Sequence, residues 1–189
     1  MSQEPGFYKT PQFTTGSYAT VADATQQNYP LGGYYQTFDS SGRPVLIQYV
    51  LFNPTVSATV TAGAPVYYKD ATKTVVTNTV TEAGSYKASS FGANSSFAGI
   101  LLNTTVADAT YPYCWILKRG YYASFVSPAS VVAGDLLVCS NTANTAPTDN
   151  TFVRVAAGTA PTAGATLGGY IRALGSVSSS LVAGWIWTE

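Results

Sequence analysis

Side chains suited to proton transfer are scarce in this sequence. It contains no histidine, the residue that most often moves protons near neutral pH. The carboxylates stand singly, mostly where turns are predicted, so sequence spacing sets up no acid–base pair, although folding could bring two together. They are Glu4, Asp23, Asp39, Asp70, Glu82, Asp108, Asp135, Asp149 and Glu189. This scarcity argues against an enzyme and predicts no catalytic residue.

Metal and cofactor sites have equally few candidate residues. Zinc would have no histidine and only two distant cysteines, Cys114 and Cys139, as ligands. No Walker lysine, Gly-x-Ser-x-Gly elbow or Asp-x-Asp calcium loop occurs. We therefore expect neither a metal nor a cofactor. Residues 1–13 lack the basic and apolar regions of a secretory signal, which predicts synthesis in the cytoplasm and two buried thiols rather than a disulfide.

One short stretch combines basic and aromatic residues. Lys118 and Arg119, predicted at a hairpin tip, are followed by Tyr121, Tyr122 and Phe125, and such a combination can stack on single-stranded bases. Two charges are too few for the usual footprint, and nine basic against nine acidic side chains leave the chain formally neutral. We therefore expect no nucleic-acid partner. No long apolar run predicts a membrane-spanning helix, so we expect no membrane partner either.

Aromatic side chains are the other feature with a chemical use. Fourteen Tyr, eight Phe and three Trp offer large contact areas at low entropy cost, and the polar tips of Tyr and Trp suit protein contacts. Sugar binding uses the same residue types, and Tyr121, Tyr122 and Phe125 would form its platform. Either use predicts a binding module.

Short strands must position these residues. β-Prone runs recur about every ten residues between Gly, Pro, Asn and Asp, which indicates an all-β barrel or sandwich. Residues 36–52 are predicted to form a hairpin with its turn at residues 40–43. Residues 45–52 are apolar at nearly every position, which is typical of a strand covered on both faces.

Two stretches of the sequence resemble each other. Residues 60–67 and 131–138 both place Ala-Gly, then Ala or Asp, ahead of an apolar run. A glycine and a tryptophan follow each stretch at nearly the same spacing. Gly99 and Trp115 follow Gly63, and Gly169 and Trp185 follow Gly134. The spacing predicts two related units of about seventy residues, at about 56–120 and 127–189, within a single β domain at 36–189.

Glycine has a local role in both stretches. We expect Gly63 and Gly134 to supply a positive φ in a tight turn that leads into a strand. Asp135, which follows the second glycine, is expected to accept hydrogen bonds from the backbone of its own turn. Both roles are structural rather than catalytic.

Residues 1–35 are predicted to form an extended N-terminal arm, because Pro5, Pro11 and Pro30 break any long element. Seven aromatic side chains are too many for a solvated tail. They are Phe7, Tyr8, Phe13, Tyr18, Tyr29, Tyr34 and Tyr35. We expect them to pack on the body of the protein or on a partner.

Several segments together resemble the cement, or decoration, proteins of tailed-phage heads. The likeness consists of an apolar-x-Ala-Gly-Asp/Ala-x-apolar turn, a variable loop, an apolar-Ala/Gly-Gly-Ile/Tyr strand and a Gly-bounded strand near the end. The segments are residues 60–67, 97–103, 111–126, 131–138 and 168–187. The likeness covers about residues 56–189, and residues 1–55 are longer and more aromatic than in the smallest members of that family.

The resemblance implies a structural protein of the virion. Proteins of this family are not enzymes; they add to the outside of the expanded capsid, commonly as trimers, and clamp adjoining subunits. We therefore expect a homotrimer on the capsid exterior, with the major capsid protein as its partner. The expected partner-binding residues are Phe7, Tyr8, Phe13 and Tyr18 in the arm, with Tyr49 and Phe52 in the strand at residues 45–52.

Two alternatives remain open. A receptor- or carbohydrate-binding β module of a virion fibre would need an exposed aromatic platform. A tail-tube or head-completion protein, also β-rich, would assemble into rings or tubes.

Overall fold

The structure is a computed structural model of the chain. It describes residues 27, 29–39, 41–53, 59–78, 97–102, 105–106, 113–127, 130–138, 152–158, 169–176, 178 and 181–188. The strands in these residues are β1 (Tyr34–Phe38), β2 (Pro44–Phe52), β3 (Thr59–Val60), β4 (Pro65–Tyr68), β5 (Val75–Thr77), β6 (Phe97–Leu101), β7 (Thr105–Val106), β8 (Tyr113–Val126), β9 (Leu136–Val138), β10 (Val153–Val155), β11 (Gly169–Ala173) and β12 (Leu181–Thr188). No helix occurs in this part of the chain.

Five strands close into a small barrel. Their order is β2-β5-β4-β6-β8, and β8 pairs back onto β2. The β2–β5 pair is parallel and the other four pairs are antiparallel. A barrel of so few strands is narrow, so side chains fill it. The predicted all-β fold with a barrel is confirmed.

β8 is longer than the barrel and carries the sheet beyond it. Its first part pairs with β2 and β6, whereas the part from Arg119 to Val126 pairs with β12. From β12 the sheet continues through β11 and β9 to β10, and at its opposite end β1 pairs with β2. The short strands β3 and β7 pair separately with each other.

Two cores result from this arrangement. The first fills the barrel interior and contains Val50, Phe52, Val66, Tyr68, Val76, Ala98, Leu101, Cys114 and Ile116. The second lies between the outer surface of the barrel and the inner face of the β12-β11-β9-β10 sheet, where the Phe97 and Phe152 ring centroids are 6.0 Å apart. Strand β2 contributes Val50 to the first core and Ile47 to the second, so both its faces are buried, as its sequence predicts.

Two tight turns occupy corresponding places in the two parts of the sheet. The φ angles of Gly63 and Gly134 are 90° and 91°, which confirms the positive φ expected of both glycines. The amides of Ala64 and Asp135 each donate to the carbonyl three residues earlier at 3.2 Å. Gly63 N donates to Leu101 O at 2.7 Å, and Gly134 N donates to Ala173 O at 2.8 Å.

The second turn also holds a buried carboxylate. Asp135 is fully buried, and it accepts hydrogen bonds from Val132 N at 2.9 Å, Ala157 N at 2.8 Å and Arg154 Nε at 2.6 Å. Burial raises the pKa of Asp135, but the bonds from Val132, Arg154 and Ala157 outweigh it and hold the pKa below its ordinary value. Asp135 therefore joins the turn to β10, a structural role.

The strand orders β5-β4-β6-β8 and β10-β9-β11-β12 are the same, as two related units would have. The hydrogen bonds align the two units differently from the spacing of glycine and tryptophan in the sequence. Leu102 N donates to Trp115 O, and the corresponding bond runs from Leu174 N to Ala183 O. Trp115 thus corresponds to Ala183 rather than to Trp185. A shift of two residues preserves which side chains face the core, and descent from a duplicated unit stays a hypothesis.

Alanine substitution of the two turn glycines distinguishes the cost of backbone strain from the cost of a steric clash. Gly134→Ala should destabilise the protein by about 1–2 kcal/mol, because an L-residue is strained at this φ, while its Cβ would lie 3.5 Å from Ala157 Cβ. Gly63→Ala should cost at least about 2 kcal/mol more, because its Cβ would overlap the carbonyl oxygen of Ser124. Urea unfolding of both variants measures the difference, and equal losses would contradict the close approach to β8.

Candidate functional site

Lys118 and Arg119 do not form a hairpin tip. They lie within the fourteen-residue strand β8, where the pairing with β2 shifts: Ile47 faces Leu117, but Leu46 faces Arg119. The shift is a β-bulge with Lys118 as its extra residue. Because a bulge depends on the partner strand, the short-range turn signal was misleading. Lys118 is 2 % exposed, whereas Arg119 is exposed.

The buried lysine belongs to a polar network inside the barrel. Lys118 Nζ donates to Ala98 O and, at 3.2 Å, to the Tyr68 hydroxyl, which donates to Gln48 Oε1. Gln48 Nε2 donates to Gly32 O at 3.2 Å and to Lys73 O at 3.1 Å. The network therefore fastens the segment before β1 and the β4–β5 turn to the barrel wall.

Burial changes the acidity of this network. It lowers the pKa of Lys118 to about 7, with a smaller contribution from the nearby positive charge of Lys73. Burial, followed by the proximity of Tyr34, raises the pKa of Tyr68. A lysine with a lowered pKa is the form used in nucleophilic catalysis, but a side chain 2 % exposed offers no surface to a substrate. The geometry fits a structural use.

Beyond the barrel, the face of the sheet that carries Leu46 is at least partly exposed to solvent. Directly opposed residues on neighbouring strands point to the same face. One row across the sheet is Gln36, Leu46, Arg119 and Trp187, and the next contains Tyr121, Trp185 and Arg172. Phe38 and Tyr34, two positions from Gln36 on either side, are 60 % and 51 % exposed.

We call this surface the arginine–aromatic face. Its members are at least partly exposed and lie on strands β1, β2, β8, β12 and β11 or on the turn before β2. They are Tyr34, Gln36, Phe38, Arg43, Leu46, Arg119, Tyr121, Arg172, Trp185 and Trp187. Its aromatic rings adjoin: the Trp185 ring centroid is 6.1 Å from that of Tyr121 and 6.2 Å from that of Trp187.

Arg43 is held in place on this face by two contacts. Its guanidinium carbon lies 3.4 Å from the Tyr121 ring centroid, a cation–π arrangement. Its Nε donates to Asp39 Oδ2 at 2.6 Å. Burial raises the pKa of Asp39, but hydrogen bonds from the Arg43 backbone and side chain and from Ser41 N bring it below its ordinary value, so the carboxylate stays charged.

The aromatic platform differs from the one that the sequence predicts. Tyr121 faces Trp185 and is partly exposed, but Phe125 is fully buried and Tyr122 packs against the second core. Trp185 and Trp187 take their places beside Tyr121. Tyr121, Tyr122 and Phe125 do not form an exposed platform. Tyr122 points to the core side because it is next to Tyr121 in the strand, and a second register shift, between Val182 and Gly184, turns Phe125 to the core side as well.

A cluster of rings covers the opposite face of β2 and β8. Tyr29 lies with its ring centroid 5.3 Å from Tyr49 and 5.0 Å from Trp115, and Tyr35 lies 5.3 Å from Trp115. Tyr29 and Tyr35 come from the predicted arm, so this part of it packs on the body. The cluster fixes where the chain enters the described structure.

The predicted partner-binding residues fall into two groups. Phe7, Tyr8, Phe13 and Tyr18 lie outside the described residues, and their role stays a prediction. Tyr49 is 3 % exposed within the ring cluster, and Phe52 is 2 % exposed inside the barrel. Both are covered by the chain's own side chains, so the partly exposed rings of the arginine–aromatic face are better placed for a partner.

The structure bears on one of the two cysteines and on the possible metal ligands among the described residues. Cys114 is a free, buried thiol whose pKa burial raises, and Cys139 lies outside the described residues. In the part of the chain that the structure describes, His, Cys, Asp and Glu side chains form no group of three able to hold a metal ion. No helix long and apolar enough to cross a membrane occurs in that part either.

Comparison with other proteins places the chain in no family. No protein-family model matches the sequence, and no curated protein matches it.

The buried lysine should make stability depend on pH. The unfolded chain protonates Lys118 below about pH 10.5 and the folded protein only below about pH 7, so the unfolded state binds more protons between these values. The free energy of unfolding should therefore rise with pH by about 1.4 kcal/mol per pH unit inside this window, or roughly 2–3 kcal/mol between about pH 7 and about pH 9. Urea unfolding at about pH 7 and about pH 9 would measure it.

Lys118→Met should remove most of this rise, because no ammonium is then desolvated on folding. Lys69→Met, at a lysine whose Nζ donates to Asn53 O, is the matched control and should keep the wild-type slope. A slope unchanged in Lys118→Met would show that another group causes it.

Proposed function

We propose that this protein is a structural protein of the virion that binds the outside of a phage capsid and cements neighbouring subunits of the major capsid protein. The observation that carries the proposal is the arginine–aromatic face. Protein-binding hot spots are enriched in Trp, Tyr and Arg, and this face brings two Trp, Tyr121, Arg119 and Arg172 together on paired strands, with Arg43 in the turn before β2.

The position of the N-terminal segment supports the same proposal. Tyr29 and Tyr35 hold the chain against Trp115, next to β1. β1 is the end strand of the sheet order, and its second edge pairs with no strand among the described residues. Such an edge can accept a strand of another chain. Residues 1–26, with Phe7, Tyr8, Phe13 and Tyr18, would clamp a neighbouring subunit from this point.

Cementing would gain from repetition. If each copy engages a capsid lattice that is already assembled, a second contact forms at a high effective concentration. Modest contacts by the face and by the arm would then combine into firm attachment. We propose a homotrimer as the unit that attaches, because the phage-cement resemblance implies it.

A carbohydrate-binding module of a virion fibre is the second candidate. The specific observation in its favour is the Trp185–Trp187 pair, whose planes differ by 27° with centroids 6.2 Å apart. Stacked rings of this kind can support a sugar. A tail-tube or head-completion role gains no comparable support from the described residues.

Association with expanded heads that lack this protein tests the cement proposal. Wild-type protein should be a trimer by multi-angle light scattering and should co-sediment with the heads. Trp187→Ala should weaken co-sedimentation at least about tenfold, as loss of a central Trp does in other interfaces. Val132→Ala, at an exposed apolar residue outside the face, is the control and should bind like wild type.

Failure of wild type to co-sediment would refute the cement proposal. Saturable binding to a glycan array that Trp187→Ala loses would favour the carbohydrate-binding alternative instead. Rings or tubes formed by the isolated protein would favour a tail-tube role.

Deleting residues 2–26 tests the arm separately. The deletion stops before Tyr29, because removing that ring would uncover Tyr49 and Trp115. The truncated protein should keep the near-ultraviolet circular dichroism of the wild type and lose head association. Retained association would show that the arm is not a clamp, without bearing on the face.

A further inference from the structure

We infer that the partner surface bound by the arginine–aromatic face is an acidic protein surface, whose carboxylates meet Arg43, Arg119 and Arg172 around the two tryptophans. This inference rests on the proposed function and adds the chemistry of the partner. It depends on a local excess of positive charge, which the net charge of zero for the whole chain does not show.

The three arginines surround the aromatic rings. Arg119 directly opposes Trp187 across the β8–β12 pair, and Arg172 directly opposes Trp185 across the β11–β12 pair. Opposed side chains on one face lie within contact reach. A partner side chain seated on the tryptophans therefore has guanidinium groups on both sides of it.

The acidic residues of the described structure do not neutralise this face. Asp70 is occupied by its own turn, where it accepts from Thr74 N and Val75 N, and Asp135 is fully buried in another turn. Asp39 lies beside the face, but its carboxylate pairs with Arg43. Among described residues, Arg119 and Arg172 thus add positive charge that no described carboxylate balances.

Arg43 adds specificity rather than net charge, because its guanidinium is paired with the Asp39 carboxylate. Asp39 and the Tyr121 ring fix its guanidinium before any partner arrives, so less conformational freedom is lost on binding. Arginine is the residue best suited to carboxylates, because its planar fork matches their geometry. The partner should therefore carry Asp or Glu next to an apolar or aromatic side chain.

A second copy of the same face is a poor occupant. A two-fold contact would bring the arginines of one copy against those of the other, and like charges in opposition destabilise such pairs. The described acids of a second copy are engaged in their own turns. These charges favour a different protein.

Nucleic acid fits the face less well than acidic protein. Binding a single strand requires a positive groove that tracks many phosphates together with stacking rings. Here three guanidiniums surround one cluster, and one of them is already paired with Asp39. The spacing suits a few carboxylates around an apolar centre.

The test uses full-length protein and heads that lack it. The double variant Arg119→Gln/Arg172→Gln should bind the heads at least about tenfold more weakly, because charge-assisted hydrogen bonds are lost. Arg119→Lys/Arg172→Lys should recover part of the binding. Lys69→Gln, which removes a positive charge outside the face, should bind like wild type. Raising NaCl from about 0.1 M to about 1 M should weaken wild-type binding, because it shortens the Debye length from about 10 Å to about 3 Å.

The outcomes separate this inference from the proposed function. If Trp187→Ala loses the heads while the double Gln variant and high salt leave binding unchanged, the cement proposal stands and the acidic partner is refuted. If wild type binds no heads, the cement proposal fails. The inference is then decided by a short oligoglutamate peptide against an oligoglutamine peptide of equal length.

Preference for oligoglutamate that the double Gln variant loses would support an acidic partner even then. Equal binding of the two peptides, or binding of neither, would overturn it. Tighter binding of oligogalacturonate or oligothymidylate than of oligoglutamate would also overturn it and assign the face to an acidic glycan or to single-stranded nucleic acid.

Discussion

The pairing of β2 with β8 is the interaction on which the rest of the structure depends. It closes the barrel, because β2 also pairs in parallel with β5. Its bulge lets neighbouring residues take opposite environments, with Lys118 inside the barrel and Arg119 on the surface. Because β8 runs on beyond β2 to pair with β12, one strand carries both the closed core and the open face.

The charged residues of this molecule have different roles according to their position in the fold. Asp70 and Asp135 are engaged in hydrogen bonds with turn backbone, and Asp135 is buried, so they act as local connectors. Lys118 is withdrawn into the barrel at a desolvation cost that lowers its pKa. Arg119 and Arg172 stay at the surface. A formally neutral sequence therefore yields a face with a positive character.

Local features of the sequence were predictable, and features that depend on distant strands were not. The strands and the Gly63 and Gly134 turns follow from residue type and short spacing. The Lys118 bulge and the inward turn of Phe125 arise from register shifts against β2 and β12, which no local pattern reports. Trp185 joins Tyr121 only through strand pairing, so the platform was out of reach of sequence alone.

Rigidity links the fold to the proposed binding role. The partly exposed rings and guanidiniums stand on paired strands, and Arg43 is fixed by Asp39 and Tyr121. Binding loses part of its free energy to ordering side chains and loops, and a face already ordered loses less of it. The buried network of Lys118, Tyr68 and Gln48 serves the same end, because it ties the segment before β1 to the barrel. A barrel whose interior is filled by side chains can thus be a platform for its surface.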